Sequence, residues 1–173
     1  MQFYIAQGIG FIGMILMFIS FQQNDKRKIL WIQASTALIF SVHFLFLGAF
    51  TGVGVNLVAI PRNLIFARKH KNYWQQIILT VIFIAAFIIL SIIVWENLLS
   101  LFPIVAMSIS TIVFNLQTPR NIRFCSLPVS SLWIIYNIST LSIAGFITET
   151  FCLLSILIAI FRFDIFKNKT INK

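Results

Sequence analysis

The strongest constraint on this chain is a stretch of 33 consecutive residues, 29–61, that contains no Lys, Arg, Asp or Glu. A membrane-spanning helix needs about 20 mostly apolar residues, with a range near 17–25. The stretch is therefore too long for one helix and just long enough for two short ones. Gly48, Thr51, Gly52 and Gly54 supply a flexible break near its middle. The sequence thus predicts two helices joined by a tight turn.

The composition extends this prediction to the whole chain. Of the 173 residues, 60% are apolar and 10% are charged, whereas a soluble domain averages about 45–50% and 25%. A chain of this length buries only about 70% of its surface, so the excess apolar surface needs lipid around it. We expect an all-α integral membrane protein. The N-terminus lacks a basic region and a small-residue cleavage site, so we expect the first apolar run to be retained.

Apolar runs predict seven membrane spans, separated by short polar or glycine-containing breaks. Their approximate ranges are 2–21, 29–47, 53–67, 73–94, 98–116, 124–141 and 143–161. An alternative with five spans stays open at this point. In it, re-entrant pieces replace the tight turns at 48–52 and 139–145.

The positive charges fall in every second break. Lys and Arg follow spans one, three, five and seven, and none follows spans two, four and six. Because such residues mark the cytoplasmic side, we expect the N-terminus outside and the C-terminus in the cytoplasm. The net charge of +9 then belongs to one membrane face, where anionic lipids attract it. Membrane lipids are the expected partners, and a nucleic-acid partner is not needed.

Sliding the chain on itself by 93 residues aligns the first three spans with the last three. Phe21 falls on Phe114 and Arg27 on Arg120, although only five of 35 positions are identical between residues 11 and 45. A short insertion is then needed to match Thr51 with Thr148. We predict a 3+1+3 arrangement with two parallel three-helix repeats: residues 1–71, a linker helix at 72–96, and residues 97–173. In small transporters of this kind the substrate site lies between the repeats, near the midplane.

Three segments carry a resemblance to known proteins: "GFIGMILMFISFQQNDKRKIL", "PRNLIFARKHK" and "SLWIIYNISTLSIAG". With this arrangement, the chain resembles the YgjV family of bacterial inner-membrane proteins, within the SWEET and PQ-loop transporter superfamily. The resemblance implies a transporter in the bacterial inner membrane. Two departures argue against a sugar substrate: the PQ dipeptide is absent, and Pro103 and Pro128 have Gly10 and Ser35 as counterparts.

Four polar residues are expected at similar depth in the outer half of the spans. Glu149 lies roughly 6 Å inward from its outer turn and His43 roughly 7–8 Å, at 1.5 Å per residue. With Asn56 and Asn137 they are predicted to line a substrate pocket that opens outward. Histidine titrates near neutral pH, so a carboxylate with a histidine also suits proton coupling. The alternatives are that Glu149 reaches the outer headgroups and that His43 bonds a backbone carbonyl of another helix.

Two further groups are candidates for function. Trp133 and Tyr136, one turn apart, are placed to stack on a ring-bearing substrate, or else pack in the core or against lipid. Arg62, after Pro61, is a candidate inner gate or partner of an anionic substrate. Its alternative is to extend to the cytoplasmic headgroups. Gln22 and Asn115 are expected at the same inner level.

The function hypothesis is a small-solute carrier that works by alternating access, with no substrate assigned. The alternative is a non-transporting scaffold, sensor or assembly partner. No catalytic or nucleotide-binding motif is present, so we expect no enzyme activity, cofactor or metal. Cys125 and Cys152 are expected to be buried apolar residues. Seven short spans form a thin bundle, and a homo-oligomer is compatible with it.

Overall fold

A computed structural model describes residues 1–21, 23, 25–68, 72–114, 119–161 and 165. Within these ranges there is no strand, and the all-α prediction is confirmed. The described residues form seven α-helices, and a 3₁₀ turn, Leu98–Ser100, leads into the fifth. The helices are α1 (Gln2–Phe21), α2 (Lys26–Leu47), α3 (Phe50–Phe66), α4 (Tyr73–Ile93), α5 (Leu101–Val113), α6 (Pro119–Ser139) and α7 (Ile143–Ala159).

The helix ends lie where the sequence offers capping groups. Asp25 accepts the Arg27 N–H at 2.8 Å and begins α2, as an N-cap carboxylate does. Gly48, with φ 71°, ends α2 by donating to the Leu45 carbonyl. Ser142 begins α7 by accepting the Gly145 N–H at 3.2 Å. Regular helices therefore flank both tight turns, α2 and α3 the first, α6 and α7 the second. The re-entrant pieces of the five-span alternative are not observed at these two places.

Six of the helices form a closed ring. In order around the ring, the helices are α1, α2, α3, α5, α6 and α7, and α7 packs against α1 to close it. Helix α4 lies outside this ring and packs against α3 and α5. Its Phe83 and Phe87 are buried, whereas Ile88, Ile89 and Ile92 on its other side are more than half exposed. An apolar outer surface of this kind needs lipid around it.

The two ends of the ring differ in chemistry. We call the "basic face" the end where α1, α3, α5 and α7 finish and α2, α4 and α6 begin, with Arg27, Arg68 and Arg120 exposed there. We call the "far face" the end that holds the start of α1 and the turns α2–α3, α4–α5 and α6–α7.

The offset of 93 residues holds for helix bounds as well as for the aligned residues. Helix α3, shifted by 93, has the bounds of α7, and the start of α2 falls on the start of α6. The two residues with positive φ, Gly48 and Leu141 (φ 55°), are also 93 apart. The predicted short insertion is therefore wrong: the offset is unbroken, so Gly52 aligns with Gly145 and Thr51 with Ala144.

Among the described residues, three segments are long and apolar enough to cross a membrane: residues 2–20, 27–47 and 73–90. Shorter apolar helices occur at residues 50–66, 98–113 and 143–159. At 17 residues, α3 and α7 are at the lower limit for a span.

Two glycines of α1 provide a matched test of the ring contact between α1 and its neighbours. A Cβ added at Gly10 would lie 2.7 Å from the Ala144 Cβ and 2.8 Å from the His43 Nδ1, whereas one at Gly8 would meet nothing within 4 Å. We predict that Gly10→Ala destabilises the protein by about 1–3 kcal/mol through overpacking. Gly8→Ala should leave stability unchanged or slightly raised, because alanine favours helix. Thermal unfolding of both variants in the same detergent tests this, and equal melting temperatures would contradict the ring contact.

Candidate functional site

A cavity of about 450 Å³ lies inside the ring, within the size range of small-ligand sites. It extends from the level of Asn137 and Gly145 toward the basic face, as far as Phe114 and Ala159 near the ends of α5 and α7. Its polar lining comes from both halves of the chain. This lining comprises Gln33, Thr36, Asn56, Arg62, Asn63, Ser110, Arg123, Ser126, Ser130, Asn137, Thr148, Glu149 and Ser155.

The cavity lining repeats the 93-residue offset. Ten lining residues belong to α1–α3, and for each of them the residue 93 positions later also lines the cavity. Asn56 thus corresponds to Glu149, and Phe40 to Trp133. Both three-helix sets therefore present the same helix positions to the cavity, with different side chains.

Three of the predicted substrate-binding residues meet at the cavity end nearer the far face. Asn56 is 6% exposed, Asn137 is 2% exposed, and Glu149 is half-buried with the Ser130 hydroxyl beside it. Glu149 lines the cavity, so it does not reach the headgroups as the alternative required. The Asn137 Oδ1 is buried without a hydrogen-bond partner and lies against Gly145, where any side chain would collide with it.

His43 stands apart from these residues. Its ring is fully buried, with Nδ1 2.7 Å from the Ala6 carbonyl oxygen and Nε2 2.7 Å from the Ser142 Oγ. It does not contribute to the cavity lining. The carbonyl contact predicted as the alternative for His43 is therefore present. The same bonds join α1, α2 and the α6–α7 turn at the far face.

Further hydrogen bonds close the far face around His43. Gln7 donates to the Leu141 carbonyl at 2.9 Å and accepts the Ala144 N–H at 3.1 Å. The Tyr136 hydroxyl accepts the Gly52 N–H at 2.7 Å. These bonds and those of His43 together are called the "far-face seal" below. Because of the seal, the cavity runs toward the basic face and not toward the far face, where the predicted pocket was to open.

Glu96, in the α4–α5 turn, makes further hydrogen bonds between elements at the far face. Its carboxylate accepts the Phe50 and Thr51 N–H groups at 2.9 and 3.2 Å and therefore caps the start of α3. Gln7, Ser142 and Glu96 were not among the residues predicted from the sequence, and Tyr136 was predicted to stack on a substrate or pack in the core or against lipid. The available signal was the need to pair the free N–H groups at each helix start. Ala49, before α3, has no side chain that can do so.

Aromatic side chains form the wall of the cavity near Asn137. Trp133 stacks on Phe44 with ring centroids 6.0 Å apart and an interplanar angle of 21°. Tyr136 packs edge-on against Trp133 at 5.9 Å. Both residues are buried, at 7% and 2% exposure. Core packing, one of the predicted alternatives, is therefore present, and Trp133 also lines the cavity.

Arg62 lies buried on the basic side of the cavity. Only 3% of it is exposed, so the predicted extension to the headgroups is wrong. Its Nη1 donates to the Met107 carbonyl, the Ser110 hydroxyl at 2.8 Å and the Thr111 hydroxyl. Its Nε and Nη2 donate to the Asn63 Oδ1. The guanidinium also lies 4.8 Å from the Phe114 ring centroid, a cation–π distance.

The other two predicted inner-level residues, Gln22 and Asn115, lie outside the described residues. In the part of the chain that the structure covers, no group of three or more His, Cys, Asp or Glu side chains is arranged to hold a metal ion.

An all-helical ring with an apolar exterior, basic residues at one end and a polar-lined cavity is the architecture of an integral membrane protein. A model of the Imp-YgjV family, described as bacterial inner membrane protein, matches residues 4–167, and the chain belongs to this family. No curated protein and no solved structure shows significant similarity to it.

The hydrogen bonds of Arg62 predict a difference between two conservative substitutions. Lysine keeps the charge at position 62 but cannot reach α5 and Asn63 together, so Arg62→Lys should lower the free energy of unfolding by about 2 kcal/mol. Arg68→Lys, at an exposed position of the basic face, should have no effect. Melting temperatures of the two purified variants test this, and equal values would show that the guanidinium geometry does not stabilise the ring.

Proposed function

We propose that this protein carries a small solute across the bacterial inner membrane by alternating access between two three-helix repeats. The observation that supports this best is the cavity, since each lining residue from α1–α3 has a lining counterpart 93 positions later. Under this proposal all seven helices cross the membrane, in the 3+1+3 arrangement of SWEET-like carriers, and α4 is the linker. A cavity between two parallel repeats is where such carriers bind their substrate.

The charges orient the protein in this proposal. Lys and Arg concentrate at the cytoplasmic side of bacterial inner membrane proteins, so the basic face is the cytoplasmic one. The N-terminus is then outside and the C-terminus is in the cytoplasm. The cavity reaches toward the cytoplasm in this state, and the far-face seal closes it from outside.

The seal has the properties that an outer gate needs. It joins the two repeats directly: His43 of the first bonds Ser142 of the second, and Tyr136 of the second bonds Gly52 of the first. A typical hydrogen bond contributes about 0.5–1.5 kcal/mol net, so a few bonds form a barrier that thermal motion and substrate binding can overcome. Water outside the membrane would supply the replacement partners.

Cysteine labelling tests alternating access without knowledge of the substrate. In a protein with Cys125→Ser and Cys152→Ala, we introduce Ser130→Cys in the cavity and apply a membrane-impermeant maleimide to one side of oriented vesicles. Labelling should be faster from the cytoplasmic side. Gln7→Leu with His43→Leu removes bonds of the seal, so labelling from outside should rise about tenfold. Ser131→Ala, an exposed position on the same helix, is the matched control and should change nothing.

The same experiment addresses the scaffold alternative. A protein with one fixed conformation would show no labelling from outside in any variant that still inserts, and the carrier proposal would then fail. A lower rate of labelling from the cytoplasmic side in the same seal variants would be the second sign of two alternating states.

A further inference from the structure

At the Asn137 end of the cavity, the polar atoms that remain available to a ligand are mostly hydrogen-bond acceptors. The Asn56 Nδ2 donates to the Gly52 carbonyl at 2.9 Å, so its Oδ1 is the atom left for a ligand. The Asn137 Oδ1 is buried without a partner. Glu149 adds a carboxylate at the position that corresponds to Asn56. Asn56 and Glu149 thus place acceptor oxygens at this end of the cavity, whereas the Asn137 Oδ1 is enclosed against Gly145.

The neighbouring hydroxyl groups strengthen this bias. Thr148 donates its proton to the Ala144 carbonyl at 2.7 Å, and Thr36 donates to the Ile32 carbonyl at 3.0 Å. Each hydroxyl has one proton to donate, so these two present lone pairs to a ligand. The donors at this end are the Asn137 amide and Ser130, whose hydroxyl lies beside Glu149. A ligand with several N–H donors matches the lining, and one with mainly acceptors does not.

The charges and the aromatic wall define the ligand further. Glu149 is the one acidic residue that lines the cavity among the described residues. Two arginines, Arg62 and Arg123, also line the cavity, both toward the basic face. Each of the three guanidinium nitrogens of Arg62 donates to protein groups. The rings of Phe40, Phe44 and Trp133 line the wall beside Asn137. Aromatic faces attract cations as well as apolar groups.

From this arrangement we infer that the cavity binds an organic amine with one positive charge and a compact aromatic or apolar body. Its ammonium group contacts Glu149 and the Asn56 Oδ1, and its body packs against the rings of Phe44 and Trp133. This inference rests on the proposed carrier function, because it names the solute class for the same cavity. It excludes carboxylic acids, which Glu149 would repel, and ranks neutral alcohols of the same shape far below amines.

Matched probes test the inference. We compare benzylamine, 2-phenylethylamine and tryptamine with alcohols and carboxylates of the same skeletons, measuring the melting temperature of the purified protein in nanodiscs. A ligand that binds the folded state alone raises this temperature with concentration. At least one amine should raise it saturably, with an affinity tenfold or more above that of its alcohol. Its carboxylate should have no effect.

Variants separate binding in the cavity from partitioning into lipid. Glu149→Gln and Asn56→Leu should each weaken amine binding tenfold or more. Thr150→Val, on the same helix but outside the cavity lining, should leave it unchanged. Equal effects of amine and alcohol, a preference for the carboxylate, or no stabilisation by any of the three amines would each overturn the inference. The labelling experiment uses no solute, so a failure of the carrier proposal there can be told apart from a failure of the amine inference here.

Discussion

The structure depends on one constraint: a helix that starts inside a membrane protein must find partners for its first N–H groups, because lipid supplies none. Helix α3 meets this need with Glu96, which precedes α5, and with Tyr136 of α6. Helix α7 meets it with Gln7 of α1 and with its own Ser142. Thr51 and Ala144, whose N–H groups bond Glu96 and Gln7, are 93 residues apart. Each three-helix set thus caps a helix of the other.

This reciprocal capping links the fold to the proposed transport cycle. The groups that hold the ring together at the far face are also those that close the cavity there. Opening the seal therefore exposes the starts of α3 and α7, and the N–H groups freed in this way need water as their new partner. The basic face is joined differently, through Arg62 and its bonds to α5. Side-chain bonds link the helices at both ends of the cavity, while apolar packing dominates between them.

Most of the helix pattern could be predicted from the sequence, because length, apolar runs and charge placement act locally. The turn at Gly48 is an example, since glycine adopts positive φ without strain. The depth of Asn56, Asn137 and Glu149 was also predictable, because a helix rises by a fixed amount per residue. The choice between the two expectations for His43, cavity lining or a contact with a carbonyl of another helix, was not predictable. A rise per residue gives depth but not the direction around the helix axis, and His43 points at Ala6 and Ser142, away from the cavity. The extension of Arg62 to the headgroups was predicted wrongly for the same reason.

In the proposed transport cycle, two similar three-helix sets alternate around one cavity. Distances between paired spin labels measure this motion directly. Phe50 and Ile143 are exposed, 93 residues apart at the far face, and Arg27 and Arg120 are their equivalents at the basic face. Alternating access predicts two distance populations for each pair in nanodiscs. Conditions that lengthen the Phe50–Ile143 distance should shorten the Arg27–Arg120 distance. A single fixed distance at both faces, in the native protein and in the seal variants alike, would contradict it.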